Sequence, residues 1–184
     1  MTSKPLQIAC LGWGSLIWDP KELPIQSEWF KNGPRVCIEY TRQSNNGCIT
    51  LVIDPLAEPV NLLWARMIPT ELSAARETLR KRERTKLSKI GCWQRGQSAP
   101  TQIPDLSQWA DDQSLDAVIW TALEPKFNEE YRSPTINEVI SYLRDLPKRI
   151  QLKAKEYIEK TPHQIDTYYR RQIETILGWS RRQS

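Results

Sequence analysis

The apolar residues in the first two thirds of the chain come in short runs, which is the pattern of buried β-strands. Residues 6–11 form the first run and residues 115–123 the last. Residues 35–41 and 48–54 flank an Asn-Gly pair that is typical of a tight hairpin, and residues 60–68 form a further run before a proline. The pattern therefore predicts that strands are concentrated in this part of the chain.

In the last third of the chain, apolar residues recur three and four positions apart, as they do on amphipathic helices. Pro147 and Pro162 divide this stretch, so it predicts three helices. One earlier helix is predicted from about residue 71 to residue 83, with Thr70 as its N-cap. Residues 88–114 are rich in glycine, proline and polar side chains, and they predict a long loop that could cover a binding site.

Strands followed by helices are typical of an α+β domain and not of an alternating parallel sheet. A chain of 184 residues is long enough for one domain that buries roughly 70% of the surface its unfolded form exposes. We therefore expect a single domain over residues 1–184, with a strand-rich part at about 6–123 and a helical part at about 134–180.

The charge balance is mildly basic, with 26 Lys and Arg against 22 Asp and Glu. Basic residues cluster at 80–86 and 148–160, which leaves a nucleic-acid-associated protein as an alternative, although solvated helix faces explain such clusters more simply. The apolar run after residue 5 is too short for a signal-peptide core, and no segment approaches the ~20 apolar residues that cross a bilayer. We expect a cytoplasmic protein without a membrane segment.

The cysteines give no indication of a metal site or a disulfide framework. Cys10, Cys37, Cys48 and Cys92 lie far apart without a C-x-x-C pair, and His163 is the only histidine. We expect free thiols in a reducing compartment, no metal and no cofactor.

The first strand ends at the turn Gly12-Trp13-Gly14-Ser15. Glycine reaches positive φ, so Gly12 and Gly14 can direct successive N–H groups outward as an anion-binding nest; a tight turn without a ligand is the alternative. A dinucleotide fingerprint would need glycine in place of Ile17, and the Gly-Lys-Ser/Thr of a phosphate-binding loop is absent. Ser15 also lacks the flanking glycines of a hydrolase nucleophile.

The helix predicted at 71–83 carries a carboxylate on its apolar side. Leu72, Ala75 and Leu79 form a stripe, and Glu83 falls about 20° from Leu72 around the helix axis. A carboxylate in such a place is seldom buried without a partner or a purpose. The alternative is an ion pair with Arg76 or with a neighbouring arginine.

Gly12-Trp13-Gly14-Ser15-Leu16 resembles the Gly-Tyr-Gly-Ser-Leu signature of the γ-glutamyl cyclotransferase superfamily, which includes the ChaC-type glutathione-degrading enzymes. In that family a catalytic glutamate follows a helical leucine by four residues, and in the ChaC-type branch an arginine precedes it. Leu79, Arg82 and Glu83 match these positions. The resemblance covers roughly residues 6–123, and the C-terminal helices match no motif.

The resemblance implies a small mixed β-barrel with packed helices, here with a helical C-terminal extension. It also implies cyclisation of a γ-glutamyl compound to 5-oxoproline, with Glu83 as general base and the main chain of Gly12, Trp13, Gly14, Ser15 and Leu16 as the substrate cradle. Arg82 and Arg76 are candidates for support of the base. Such acyl-transfer chemistry needs no metal or cofactor, and the partner is a small molecule.

The chain departs from the family pattern at three places. Trp13 replaces a tyrosine, Leu62 and Leu63 stand where relatives often place a glycine, and Thr85 begins a segment that lacks the usual Gly-Tyr. These changes reshape the expected pocket, so glutathione, another γ-glutamyl compound and a related amide stay open as substrates. A non-catalytic binding module of the same fold is a further alternative, and the oligomeric state is left open.

Overall fold

The computed structural model describes residues 4–26 and 28–182. The first three residues, on which the expectation about the N-terminal segment partly rests, lie outside this description. The described chain forms strands and α-helices in the order β1 (Ile8–Gly12), α1 (Ser15–Trp18), β2 (Arg35–Gln43), β3 (Ile49–Ile53), β4 (Pro59–Asn61), β5 (Leu63–Arg66), α2 (Leu72–Glu83), β6 (Ile90–Gln94), α3 (Leu106–Asp112), β7 (Ala117–Thr121), α4 (Ile136–Asp145), α5 (Lys148–Lys160) and α6 (Tyr168–Leu177).

The first of two compact units contains the described part of Met1–Gly12 together with Asp19–Arg35 and Asn61–Leu123. Its strands form one sheet in the order β5, β1, β7, β6. Strand β1 pairs antiparallel with β5 and parallel with β7, and all five of its residues are buried. The prediction of a buried strand at the start of the chain is confirmed.

Helix α2 packs against β6 and β7 of this sheet. Ala75 and Leu79 are fully buried, which confirms that the predicted stripe faces inward. The prediction of Thr70 as N-cap is wrong, because Glu71 holds that position without a capping side-chain hydrogen bond. The carbonyl of Thr70 instead accepts the N–H of Leu6 at 3.0 Å, which ties the residue to the segment before β1.

The prediction of a long loop at residues 88–114 is wrong. A short 3-10 helix (Leu87–Lys89), β6 and α3 occupy most of the range, and β6 pairs antiparallel with β7 along its whole length. Gly91 contributed to the prediction of a loop, but it lies inside β6. Glycine is needed there because an added Cβ would be 2.2 Å from Trp120 Cε2. The expectation that this range covers a binding site therefore loses its basis.

The second unit contains Trp13–Trp18, Val36–Val60 and the described part of Glu124–Ser184. Its three strands form a sheet in the order β3, β2, β4. Strands β2 and β3 are antiparallel, and Gly47 in the connecting turn has a φ of 86°, which glycine adopts without strain. The hairpin predicted from the Asn-Gly pair is confirmed.

Helices α4, α5 and α6 complete the second unit, with Pro147 and Pro162 between them as predicted. Thr135 caps α4 in a capping box: its hydroxyl accepts the Glu138 N–H at 3.3 Å, and the Glu138 carboxylate accepts the Thr135 N–H at 2.7 Å. Helix α4 packs against both α5 and α6.

The α+β class is confirmed, but the expected small mixed β-barrel is wrong. The described strands form two separate open sheets. Both edges of β1 are already paired, with β5 and β7, so the hairpin strands form their own sheet with β4. The strands of Val36–Val60 fall in the same compact unit as the C-terminal helices.

Two observations concern the expected location. All four cysteines are free thiols. The longest helix of the described chain, α5, has 13 residues, and no described helix combines the length and apolar character that crossing a bilayer requires.

Candidate functional site

Glu83 is the last residue of α2, and it follows the buried Leu79 by one helical turn. Its side chain is 17% exposed, so the carboxylate is largely withdrawn from water. This agrees with the inward direction that its angular position on the helix predicts. The burial follows from the packing of α2 on β6 and β7, which turns the apolar stripe and the residue in line with it towards the sheet.

The partner of this carboxylate is Arg82. Arg82 Nη1 lies 3.0 Å from Glu83 Oε1, and Arg82 Nη2 donates to the carbonyl oxygen of Asp19 at 2.6 Å. The Arg82 side chain is only 8% exposed. The alternative of an ion pair with a neighbouring arginine is therefore realised, although not with Arg76, whose Nη2 donates to the carbonyls of Leu87 and Ile90.

Burial raises the pKa of Glu83 above that of an ordinary glutamate, and the positive charges of Arg82 and Lys21 oppose part of this rise. The same carboxylate acts on β1: burial, and then the negative charge of Glu83, raise the pKa of the Cys10 thiol. Within the first unit, Glu83 is thus electrostatically coupled to a residue two positions before Gly12.

The turn after β1 does not have the conformation of a glycine nest. The described glycines with positive φ are Gly47, Gly96 and Gly178, so neither Gly12 nor Gly14 is left-handed. Gly14 is instead required by packing, because a Cβ there would lie 2.3 Å from the hydroxyl oxygen of Tyr157 on α5. The expectation of left-handed glycines is therefore wrong, while a role of this main chain in binding stays a prediction.

The side chains of the turn are mostly packed. Trp13 is buried, and its indole Nε1 donates to the carbonyl of Leu51 at 3.1 Å. Leu16 is also buried, and Ser15 begins the short helix α1. Because the Trp13 ring is buried in the second unit, only the main chain of this residue is available to contact a ligand.

The predicted site residues are divided between the two compact units. Gly12, Arg76, Arg82 and Glu83 belong to the first unit, and the residues from Trp13 to Leu16 belong to the second. Within the first unit the structure joins Arg82 to Glu83 and separates Arg76 from both.

A feature that the sequence pattern did not reveal is a cavity of ≈ 330 Å³ in the second unit with buried carboxylates in its wall. Glu39 is 3% exposed and accepts the backbone N–H groups of Tyr40 and Tyr169 at 3.0 and 3.1 Å. Asp54 accepts the hydroxyl of Ser133 at 2.7 Å. Glu39 thereby connects β2 to the start of α6, and Asp54 connects the end of β3 to the segment before α4. Both carboxylates therefore have a structural role.

No group of three or more His, Cys, Asp or Glu side chains in the described ranges is arranged to hold a metal ion. Comparison with known proteins assigns no family, because no family model and no curated protein matches the chain.

Proposed function

We propose that the protein is a γ-glutamyl cyclotransferase-like enzyme, which converts a γ-glutamyl compound to 5-oxoproline and releases an amine or amino acid. The observation that carries this proposal is the largely buried Glu83 carboxylate with its raised pKa. A base for this reaction must take a proton from an α-ammonium group with a pKa of about 8, whereas an ordinary glutamate has a pKa of about 4.3, a gap of roughly 5 kcal/mol. Desolvation narrows this gap, so burial is the property that the chemistry needs.

The reaction is an intramolecular acyl transfer. Glu83 takes a proton from the α-ammonium group, and the freed amine attacks the γ-carbonyl carbon of the same molecule. The new C–N bond closes the five-membered ring, and the bond from the γ-carbon to the departing nitrogen breaks. The α-nitrogen loses two protons in becoming the lactam N–H, one to Glu83 before the attack and one as the ring closes. Both pass to the departing nitrogen, the first by way of Glu83, so the product leaves as an ammonium group and no water is consumed.

The main chain of the turn from Gly12 to Leu16 is the proposed cradle for the amino-acid head of the substrate. Two observations support this assignment. The turn directly follows β1 in the chain, and the negative charge of Glu83 raises the pKa of the Cys10 thiol in that strand. A cradle that folds the substrate into a ring-closing conformation also contributes to the rate, because it removes the entropic cost of bringing the amine to the carbonyl.

Arg82 is a positioning residue in this proposal, since its guanidinium holds the carboxylate through Nη1 and the Asp19 carbonyl through Nη2. Arg76 supports the site less directly, because its Nη2 fixes the carbonyls of Leu87 and Ile90 beyond the end of α2. A cytoplasmic location belongs to the same proposal and agrees with the four free thiols.

The test is an assay for 5-oxoproline with purified protein and a panel of glutathione, γ-glutamyl dipeptides and γ-glutamylamines. We expect turnover of at least one compound by the wild type and a loss of about 100-fold or more in Glu83→Gln, the usual contribution of a general base. Glu77→Gln is the matched control, because Glu77 lies on the same helix and pairs with Arg80. Equal rates in wild type and Glu83→Gln contradict the proposal.

The ion pair between Arg82 and Glu83 favours one second candidate, a non-catalytic module that binds a γ-glutamyl compound. In that case the pair keeps Glu83 charged for structural reasons only. Calorimetric binding of a panel compound without any 5-oxoproline, in both wild type and Glu83→Gln, would identify the module.

A further inference from the structure

The first unit contains a second feature, which shares only Arg82 with the cyclotransferase proposal. It is a cavity of ≈ 440 Å³, here called the basic cavity, within the size range of pockets that hold small molecules. Its wall is formed by Lys21, Glu22, Thr78, Lys81, Arg82 and Arg84. The wall thus contains four cations and one carboxylate, and the cavity is open to solvent, since Lys21, Glu22, Lys81 and Arg84 are exposed.

Three of these four cations are not held in a direct ion pair within the described residues. Arg82 is engaged with Glu83, but Lys21, Lys81 and Arg84 form no ion pair with any carboxylate of the described chain. Arg171 and Arg181, by contrast, are each bonded to two carboxylates. Three of the four cations in the wall of the basic cavity are therefore without a carboxylate at ion-pair distance in the part of the chain that the structure describes.

The backbone carries two of these cations in a conformation that favours glycine. Lys21 has a φ of 52° and Arg84 a φ of 51°, and both line the basic cavity. Arg84 is the left-handed residue that ends α2, a position that glycine fills most often. Non-glycine residues in such a conformation cost free energy and cluster at active sites and ligand clamps, although Ser114, Asn128 and Glu129 adopt it elsewhere in the described chain.

The helix dipole explains only part of the arrangement. Cations in the last turn of a helix interact favourably with its C-terminal carbonyl groups, and this accounts for Lys81 and Arg82 in α2. It does not account for Lys21, which comes from a different segment and lies in the same cavity wall.

We propose that the basic cavity binds the phosphate group of a small molecule. A phosphate monoester carries close to two negative charges and three acceptor oxygens, so it can bond to several separate cations at once. A single carboxylate has fewer acceptor sites and half the charge. The cavity also has room for the organic part of a phosphate ester next to the phosphate itself. The two proposals share Arg82, but the variants that test this one are at Lys81 and Arg84, which the cyclotransferase proposal does not use.

The experiment is isothermal titration calorimetry of the purified full chain with inorganic phosphate, a nucleoside monophosphate and citrate, with sodium chloride adjusted to hold ionic strength constant. We expect saturable binding of phosphate or the monophosphate with a stoichiometry of one, and weaker binding of citrate. Tighter binding of the nucleoside monophosphate than of inorganic phosphate would identify an ester as the ligand, and equal binding would identify free phosphate.

Two variants test the location of the site. Lys81→Met and Arg84→Gly each remove a charge-assisted bond, so we expect each to weaken phosphate binding about tenfold or more. Arg84→Gly relieves the left-handed backbone, so a loss of binding with unchanged or higher thermal stability separates a lost ligand contact from misfolding. Lys86→Met is the matched control, because Lys86 is exposed and close in sequence but outside the cavity wall.

Three results would overturn the proposal. One is the absence of saturable phosphate binding at constant ionic strength. Another is an equal loss of affinity in Lys86→Met and Lys81→Met, which would indicate a diffuse field instead of a site. The third is binding of a single-stranded oligonucleotide, with a steep salt dependence, by a protein that does not bind the monophosphate.

Discussion

Arg82 and Glu83 are consecutive residues of α2, and Arg82 Nη1 lies 3.0 Å from Glu83 Oε1. Neighbouring positions on a helix normally point in different directions, so the contact depends on Glu83 being the last helical residue. Both side chains are largely buried, and the pair is therefore little screened by solvent. Burial raises the pKa of Glu83, and Arg82 determines how far it rises.

Replacing Arg82 by methionine is expected to raise the pKa of Glu83 further. The substitution removes the cation and the hydrogen bond that favour the charged carboxylate, while the burial that disfavours it is largely retained. The measurement is the pH titration of the Glu83 carboxyl carbon by NMR. Arg80→Met is the control, because Arg80 pairs with Glu77 and should leave the Glu83 titration unchanged; an unaltered titration in Arg82→Met would contradict the expectation.

The pH dependence of stability should distinguish two glutamates of the same helix. The pKa of Glu83 is raised by burial, so its contribution to stability is present at low pH and is lost as pH rises through the folded-state pKa. Wild type should therefore lose stability relative to Glu83→Gln as the pH rises from about 4.3 through the folded-state pKa of Glu83. Urea unfolding of both proteins across this range measures the difference.

Glu77 should change the stability of the protein with pH in the opposite direction to Glu83. Its hydrogen bond to Arg80 lowers its pKa, so its contribution to stability is present above the ordinary glutamate pKa and is lost as pH falls through the folded-state pKa. Wild type should gain stability relative to Glu77→Gln as the pH rises over the acidic range. The same slope for both variants would show that the two carboxylates do not differ in environment.

The sequence predicted the direction of Glu83 because angular position on a helix is a local property, fixed by 100° per residue. An ion pair with a neighbouring arginine was one of the alternatives, but helix geometry could not select Arg82 over Arg76, because the contact arises at a helix end, where the side-chain directions of a regular helix no longer apply. The basic cluster at 80–86 was visible in the sequence, but the basic cavity was not, because Lys21 joins it from a distant segment and neither Lys21 nor Arg84 is a residue type that favours a left-handed backbone.

In the sheets, too, local features could be predicted from the sequence and the pairing of distant strands could not. The β2–β3 hairpin was predicted from its turn, whereas the pairing of β1 with β5 and β7 joins strands that are distant in the chain. Strand β6 was missed because Gly91 was interpreted as a loop residue, although it permits close contact with Trp120. The barrel was expected only from the family resemblance, because the sequence does not show which distant strands pair.

Gly14→Ala is expected to destabilise the protein by about 1 to 3 kcal/mol through overpacking. The new methyl group would lie 2.3 Å from the Tyr157 hydroxyl oxygen, closer than two such atoms can approach. Removing that oxygen in Tyr157→Phe leaves the ring carbon Cζ, at 3.3 Å, as the nearest atom. The double variant should therefore be more stable than the sum of the single effects predicts, and additive effects in urea unfolding would contradict the close contact.

Arg170 and Arg171 are consecutive arginines of α6 with very different surroundings. Arg170 is fully buried, and its Nε donates to Glu174 at 3.1 Å. Its two Nη atoms donate to four main-chain carbonyl oxygens, those of Ile158, Thr161, Pro162 and Ile165. Arg171 instead pairs with Glu58 and Asp166 and is partly exposed.

Arg170→Met should destabilise the protein by about 3 to 5 kcal/mol, because it leaves several buried acceptors at the end of α5 without a donor. Arg171→Met, the matched control, should cost less than about 1 kcal/mol, since its ion pairs are screened by solvent. Urea unfolding of both variants at neutral pH measures the difference. Similar losses in the two variants would mean that the carbonyl contacts of Arg170 contribute no more than a surface ion pair, which their burial argues against.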